Sequence, residues 1–269
     1  MPYAKCDDIN IYYETAGEGP LLVLGHGGSY TLDMWKDWGY ADRLKDDFQL
    51  ILLDFRGHGR SDKVKQESAS GSGLADDVIA VLDDIGIEKT GYFGYSMGAM
   101  AGFSLATSRH VSRFNSFILG GMTPYEWPEE MIRAINISIE GYKLLQTDPD
   151  AYIEWMENLL KRTFTPEEKS ELLSRNAESS ASMQSGLLDT PPLTNEDLSR
   201  IPVPCLIYCG EQDPFYPGAR ESVEHIPEGV FISMTGFNHI TAITQSDVVI
   251  PYIKSFLDVV NERDNNRFS

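Results

Sequence analysis

The sequence predicts an α/β fold: a mostly parallel central sheet flanked by helices, with an inserted helical cap. Three observations predict it. Strand-like and helix-like segments alternate over residues 21–119 and again over 204–260, the alternation stops between them, and several predicted strands end in glycine-rich turns. At 269 residues one domain with an insertion suffices to bury a sizeable core. The expected division is 1–122 and 199–269 for the core, with 123–198 as the cap.

The first segment, Ile9 to Thr15 (INIYYET), is β-rich and ends in the turn signal Ala16-Gly17-Glu18-Gly19-Pro20, so antiparallel strands precede the main sheet. Leu21 to Leu24 is apolar at every position, as a strand covered on both faces must be. Strand Gln49 to Phe55, helix Leu74 to Ile85, strand Thr90 to Tyr95, helix Met97 to Ser108 and strand Phe114 to Leu119 follow. Parallel neighbours cannot be joined by a tight hairpin, so helices between strands imply crossovers and a parallel sheet. Ser68 to Gly73 (SASGSG) reads as a flexible loop.

From Thr123 to about Leu198 helix-period segments such as Glu129 to Leu145 and Ala151 to Arg162 occur without a convincing strand, and Pro124, Pro128, Pro191 and Pro192 mark the edges. The core pattern then resumes with strand Pro204 to Cys209, helix Gly218 to His225, strand Val230 to Met234 and helix Ser246 to Val260.

Composition narrows the function classes. Lys and Arg total 22 against 41 Asp and Glu, a formal net charge of −19, which opposes nucleic acid and anionic membranes as partners. Cys6, Cys205 and Cys209 give an odd count with no metal-ligand spacing, so neither a disulfide framework nor a zinc site is indicated. In a strand, Cys205 and Cys209 stand about 13 Å apart, too far to bridge. The segment MPYAKCDDIN has no apolar signal core, and no apolar run reaches the roughly 18 residues of a membrane span. A reducing, cytoplasmic setting is expected.

Gly94-Tyr95-Ser96-Met97-Gly98 stands where a strand ends and a helix begins, the context in which a G-x-S-x-G turn exposes a nucleophilic serine. Side chains two residues either side of the serine have no room in so sharp a turn, hence Gly94 and Gly98. Ala99, Ala101 and Gly102 keep the helix close to the sheet. His26-Gly27-Gly28-Ser29 follows the first core strand and offers backbone N–H groups to a developing oxyanion. The expected donors are Met97 N–H and Gly28 N–H, with Ser29 N–H as the alternative for the second. His26 itself is expected to brace its loop.

A serine nucleophile needs a histidine, itself oriented by a carboxylate. Of the five histidines, His58 lies in the turn Arg56 to Arg60, while His110 and His225 end helices. His239 stands in the loop between the last strand and the last helix and is the expected base. Asp213, in Gly210-Glu211-Gln212-Asp213-Pro214, is the expected orienting acid, with Glu211 as a rival that abuts the strand and faces solvent.

Together these residues resemble the α/β-hydrolase superfamily over nearly the whole chain. The resemblance rests on His26-Gly27-Gly28, on Asp54-Phe55-Arg56-Gly57-His58-Gly59-Arg60-Ser61, on the Ser96 turn, on Gly210 to Asp213 and on the His239 loop. Asp54 to Ser61 is similar to the D-x-R-G-x-G-x-S turn of cap-bearing members, a scaffold and not a chemical group. Asn238 departs from the glycine that many relatives carry before the histidine.

The resemblance implies a serine hydrolase acting on a small to medium carboxylic ester without metal or organic cofactor. Lactone or carbon–carbon bond hydrolysis, and a perhydrolase side activity, are compatible with the same triad. A ligand-binding receptor on this fold is the rival from another class. Tyr30, Trp127, Trp155 and Phe215, with Met131 and Met156, are expected to line an apolar substrate cavity, although aromatic and Met residues at helical spacing more often pack a core.

Overall fold

The computed structural model describes residues 2–64, 70–174 and 176–267. Its strands are β1 (Tyr3–Cys6), β2 (Ile9–Ala16), β3 (Leu21–Gly25), β4 (Gln49–Leu53), β5 (Thr90–Tyr95), β6 (Phe114–Gly120), β7 (Cys205–Gly210) and β8 (Gly229–Met234). They form one sheet in the order β1-β2-β4-β3-β5-β6-β7-β8. The β1–β2 and β2–β4 pairs are antiparallel, and every pair from β4 through β8 is parallel. The short first strand YAKC was not anticipated, because four residues with Lys5 outward carry too little pattern; Ala4 and Cys6 alternate inward.

Helices α1 (Met34–Asp37), α2 (Tyr40–Leu44), α3 (Gly71–Asp84) and α4 (Met97–Ala106) lie within the first half of the sheet's connections. Between β6 and β7 run α5 (Glu129–Thr147), α6 (Pro149–Leu160), α7 (Pro166–Leu173), α8 (Ala177–Leu188) and α9 (Asn195–Ser199). The end of the chain adds α10 (Tyr216–Val223), α11 (Thr241–Thr244) and α12 (Ser246–Arg267). Helix α3 begins at Gly71, so the loop expected over Ser68 to Gly73 is helical from Gly71; Ser68 and Ala69 lie outside the described residues. Among the described residues no helix is long and apolar enough to cross a membrane.

Strand alternation divides the core into two layers. Val23, Ile51, Leu53, Tyr92, Leu119 and Ile207 point to the side covered by α3, α4 and α10. Leu22, Leu24, Leu50, Leu52, Phe93 and Ile118 point to the side covered by α1, α2 and α12. Each such buried side chain contributes roughly 1.5–3 kcal/mol, which is why both faces of these strands read as apolar. A third cluster joins Tyr142 and Leu145 of α5 to Tyr152 and Ile153 of α6, with Phe164, Leu172 and Ala177. The inserted helices also reach the sheet's own core, where Met183 and Leu187 of α8 and Leu198 of α9 are buried.

The Asp54 turn ties the first half of the sheet together. Asp54 accepts the N–H of Leu32 at 2.7 Å and of Arg60 at 2.9 Å, and Ser61 Oγ donates to Asp54 O while accepting Tyr12 N–H. Arg56 is held by Asp77 of α3 in a buried ion pair of 2.7 Å. Gly59 sits at φ +44°, where a Cβ would fall 2.1 Å from Asp54 Oδ2.

His26 braces the β3 and β4 loops, as expected. Its Nδ1 lies 2.8 Å from Gly27 O, and its Nε2 accepts Phe55 N–H at 3.1 Å. A carbonyl on one nitrogen and a donor on the other leave no place for a second proton. Burial pushes its pKa down to about 4 from 6.5, against the weaker pull of the Gly27 carbonyl. Below pH 6.5 the unfolded chain takes up a proton that the folded ring refuses. The stability conferred by the neutral ring is therefore present above pH 6.5 and lost as pH falls toward 4, by about 3 kcal/mol in all. Denaturant titrations between pH 7.5 and 4.5 should show the gap between wild type and His26→Asn narrowing with acid; a constant gap would contradict this account.

Candidate active site

The parallel strands deliver four loops to one edge of the sheet, at their C-terminal ends, where open α/β sheets bind ligands. At the end of β5 the chain reverses into α4 through Ser96, whose φ of 53° and ψ of −113° lie outside the usual L-residue regions. Strain of this kind costs about 1–3 kcal/mol and persists only where the surroundings over-determine it. Here Ser96 N–H donates to Gly120 O of β6 at 2.8 Å, and Ser96 O accepts the first helical bond, from Met100, at 2.9 Å. The flanking glycines are steric necessities. A Cβ on Gly94 would lie 2.3 Å from Gly98 O, and one on Gly98 would lie 2.0 Å from Gly25 O.

The turn after β3 passes beside this serine. Tyr30 N–H closes the turn on Gly27 O at 3.3 Å, and Ser29 takes a positive φ of 65°. A Cβ on Gly27 would sit 3.7 Å from Ser96 Cβ, and one on Gly28 would sit 3.9 Å from Met97 Cβ. Among the described residues, the N–H groups of Gly28, Ser29 and Met97 have no hydrogen-bond acceptor. Gly28 is thus the turn residue abutting Met97, and Ser29 turns toward a neighbouring cavity.

Asp213 and His239 arrive from the ends of β7 and β8. Gly210 lets the two loops touch, since a Cβ there would fall 2.3 Å from Phe237 O, and Gln212 N–H donates to that same carbonyl at 2.9 Å. Asp213 is buried; its Oδ1 accepts Phe215 N–H at 3.0 Å, and its Oδ2 lies 2.7 Å from His239 Nδ1. His239 Nε2 lies 3.0 Å from Ser96 Oγ. The relay thus runs from a carboxylate with no exposed side-chain surface, through a ring one-quarter exposed, to a half-buried hydroxyl. Glu211, the rival carboxylate, is exposed and accepts Ser233 Oγ and Thr235 Oγ1.

Asn238 replaces the expected glycine without strain. Its Oδ1 accepts the N–H groups of Ile240 at 3.0 Å and Thr241 at 2.9 Å, so its side chain holds the turn that leads from His239 into the short helix. Tyr95, which carries no catalytic signature in the sequence, donates its phenol to His239 O at 2.5 Å and packs its ring 5.4 Å from the imidazole. Burial raises the Tyr95 pKa well above its ordinary value and keeps it a donor. No local pattern reveals this contact, which spans 144 positions of sequence between Tyr95 and His239.

The aromatic expectations divide. Phe215 lies with its ring 5.8 Å from His239, and Trp127 packs edge-on against Phe215 at 5.3 Å. Tyr30 lines a cavity of about 390 Å³ beside the Gly28 turn. Trp155 is a correction: its ring covers Gly141 of α5 and stacks on Tyr152, within the helix–helix core of the insertion. Met156 packs against that same cluster, whereas Met131 packs against the main core. Helical spacing cannot distinguish an apolar face turned to a neighbouring helix from one turned to a ligand. The cavity beside Gly28 is also polar in character, with His58, Lys63 and Gln184 in its wall. None of these three was foreseen as a pocket residue, because each is one polar residue in a turn or helix.

Comparison with known proteins agrees with this architecture. Residues 20–140 match the sequence profile of the alpha/beta hydrolase fold. The chain is 26% identical to 3-oxoadipate enol-lactonase 1 of Acinetobacter baylyi over 72% of each sequence. It is 23% identical to the bifunctional esterase/perhydrolase DCH of Acinetobacter calcoaceticus over 93% of this chain and 97% of that one. In fold it resembles the enol-lactonase from Burkholderia xenovorans LB400, with a TM-score of 0.76 at 23% identity, covering 96% of this chain and all of the other.

Proposed function

Because this chain belongs to the alpha/beta hydrolase superfamily, we propose that it is a serine hydrolase that cleaves a carboxylic ester through Ser96, His239 and Asp213. The observation that carries the reading is the continuous contact from Asp213 Oδ2 through His239 to Ser96 Oγ, at 2.7 and 3.0 Å. Asp213 holds the imidazole with its proton on Nδ1, which leaves the Nε2 lone pair facing the serine.

Ser96 Oγ adds to the ester carbonyl as its proton passes to Nε2. The resulting oxyanion accepts hydrogen bonds from Met97 N–H and Gly28 N–H, two donors with no acceptor of their own among the described residues. As the tetrahedral adduct collapses, the C–O bond breaks and the imidazolium gives its proton to the departing alcohol. Water then attacks the acyl-serine, loses its proton to Nε2, and releases the carboxylic acid while Oγ regains a proton. Helices α5–α8, within the 123–198 cap, would roof this centre and select the substrate.

Labelling with a fluorophosphonate probe tests the nucleophile: the adduct should map to Ser96 by peptide mass, and an unlabelled Ser96 in folded protein would favour a ligand-binding protein instead. Asp213→Asn should lower kcat on a 4-nitrophenyl ester about 10⁴-fold, since an amide N–H facing Nδ1 selects the wrong tautomer. Retention of more than a tenth of wild-type kcat would count against Asp213.

A second reading, lactone hydrolysis by the same steps, is favoured by the similarity to 3-oxoadipate enol-lactonase 1. The two differ only in that the leaving alcohol stays tethered to the acyl group. A panel of esters and lactones ranked by kcat/KM separates them; one lactone far above every ester would select the second.

A further inference from the structure

The cavity that opens at Ser29 lies between the Gly28 turn, the Gly57–Gly59 loop and helices α5 and α8, with a volume of about 390 Å³. Its charge pattern is opposite to that of the molecule around it. The chain carries 41 Asp and Glu, yet none of the cavity's described lining residues is acidic. Among the described residues of its wall, the one formal cation is Lys63. Lys63 Nζ donates to the carbonyls of Gly59 at 2.8 Å and Ser61 at 3.4 Å, and among the described residues no carboxylate pairs with it. An ammonium has three protons, so one donor remains for a guest.

Two further groups face the same space. Gln184 of α8 lines the cavity, and its Oε1 is buried and, among the described residues, without a hydrogen-bond partner, a costly state for a side-chain amide. Rotation of that amide by half a turn exchanges the places of its oxygen and its N–H donors, so it can offer a polar guest either one. Asn176, the N-cap of the twelve-residue α8, lines the cavity as well, which brings the positive end of that helix to it. The net charge of −19 acts against an anion at long range, but beyond about 8 Å it is largely screened at physiological ionic strength, whereas Lys63 acts at contact.

We infer that this cavity binds a carboxylate, so that the preferred ester or lactone carries a free carboxylate on the part that enters beside the Gly28 turn, held by Lys63 and Gln184. The inference rests on the hydrolase reading above and replaces the apolar pocket expected from the sequence. Among the described residues of the wall, a single lysine with neutral amide and hydroxyl neighbours matches a monoanion such as a carboxylate.

Two matched substrate pairs test it at low salt: the 4-nitrophenyl monoester of glutarate against 4-nitrophenyl hexanoate, and 4-carboxyphenyl acetate against its methyl ester. One pair should show kcat/KM at least tenfold higher for the anion. Lys63→Gln should cut that ratio about tenfold, as expected for losing a charge-assisted hydrogen bond at a partly exposed site, and Lys63→Arg should keep most of it. Lys89→Gln, which removes an exposed lysine elsewhere and changes net charge equally, should leave the ratio as it is. Preference for the neutral ester in both pairs, or equal effects of Lys63→Gln and Lys89→Gln, would overturn the inference.

Glutarate itself separates this inference from the hydrolase reading. It should raise the melting temperature of wild type and Ser96→Ala but not of Lys63→Gln. That pattern without turnover of any ester would sustain the carboxylate pocket and sink the esterase. Turnover without any glutarate shift or anionic preference would do the reverse.

Discussion

Ser96→Ala should lower kcat/KM on a short 4-nitrophenyl ester by about 10⁵-fold or more, because the attacking atom is gone while the oxyanion donors and the binding surface remain. His239→Ala should cost about as much, and the double variant little beyond either, since groups that act as one unit are not additive. Activity within a hundredfold of wild type in Ser96→Ala would assign the chemistry to another group. The same position carries a stability prediction of opposite sign. At φ 53° and ψ −113° the Cβ of Ser96 is held against its backbone, and alanine keeps that Cβ. Ser96→Gly removes it, so relative to Ser96→Ala it should gain about 1 kcal/mol in denaturant unfolding, the relief of strain outweighing the extra freedom of glycine in the unfolded chain. A loss of stability in Ser96→Gly would mean that the serine conformation stores no strain.

Gly98→Ala should be the most damaging single methyl group in the molecule. The added carbon would stand 2.0 Å from Gly25 O, 2.6 Å from Gly25 C and 2.9 Å from His26 O. All three are backbone atoms of a central strand and of the His26 loop, so no side chain can swing aside. Relief requires moving α4 away from β3, which carries Met97 and Ser96 away from Gly28. Destabilisation of more than 4 kcal/mol is expected, or failure to accumulate as soluble protein. Gly86→Ala is the control: that glycine has a φ of 70° but nothing within 4 Å of a Cβ, so only the backbone preference is lost, about 1 kcal/mol. Equal losses in the two variants would show that steric contact at the turn after β5 is not what fixes Gly98.

The two glycines also show which parts of the molecule are legible in a string of residues. Gly94 and Gly98 flank Ser96 at fixed spacing, because the clash that demands them is local to one strand–turn–helix unit. The parallel strands were legible for a similar reason: burial on both faces leaves every position of β3 and β5 free of charge. The four-residue β1 and the short helices α1 and α2 left no periodic trace, and their places are decided by partners such as Ile11 and Phe93. Trp155 was misplaced because its spacing on α6 is that of any apolar helix face, and it is Gly141, far back on α5, that makes room for its ring.

By itself the sequence determined the alternation of the parallel strands with their longer helices, the sharp turn at Ser96, and a short set of candidates for its partners, since each depends on interactions within a few neighbouring residues. Only the tertiary structure decided that Asp213 rather than Glu211 meets His239, that Tyr95 grips the backbone of that histidine, and that Lys63 and Gln184 share one cavity with the Gly28 turn. These pairings join loops from separate strands, and their distances are fixed by sheet register and by close packing at Gly98 and Gly210, which no local pattern encodes.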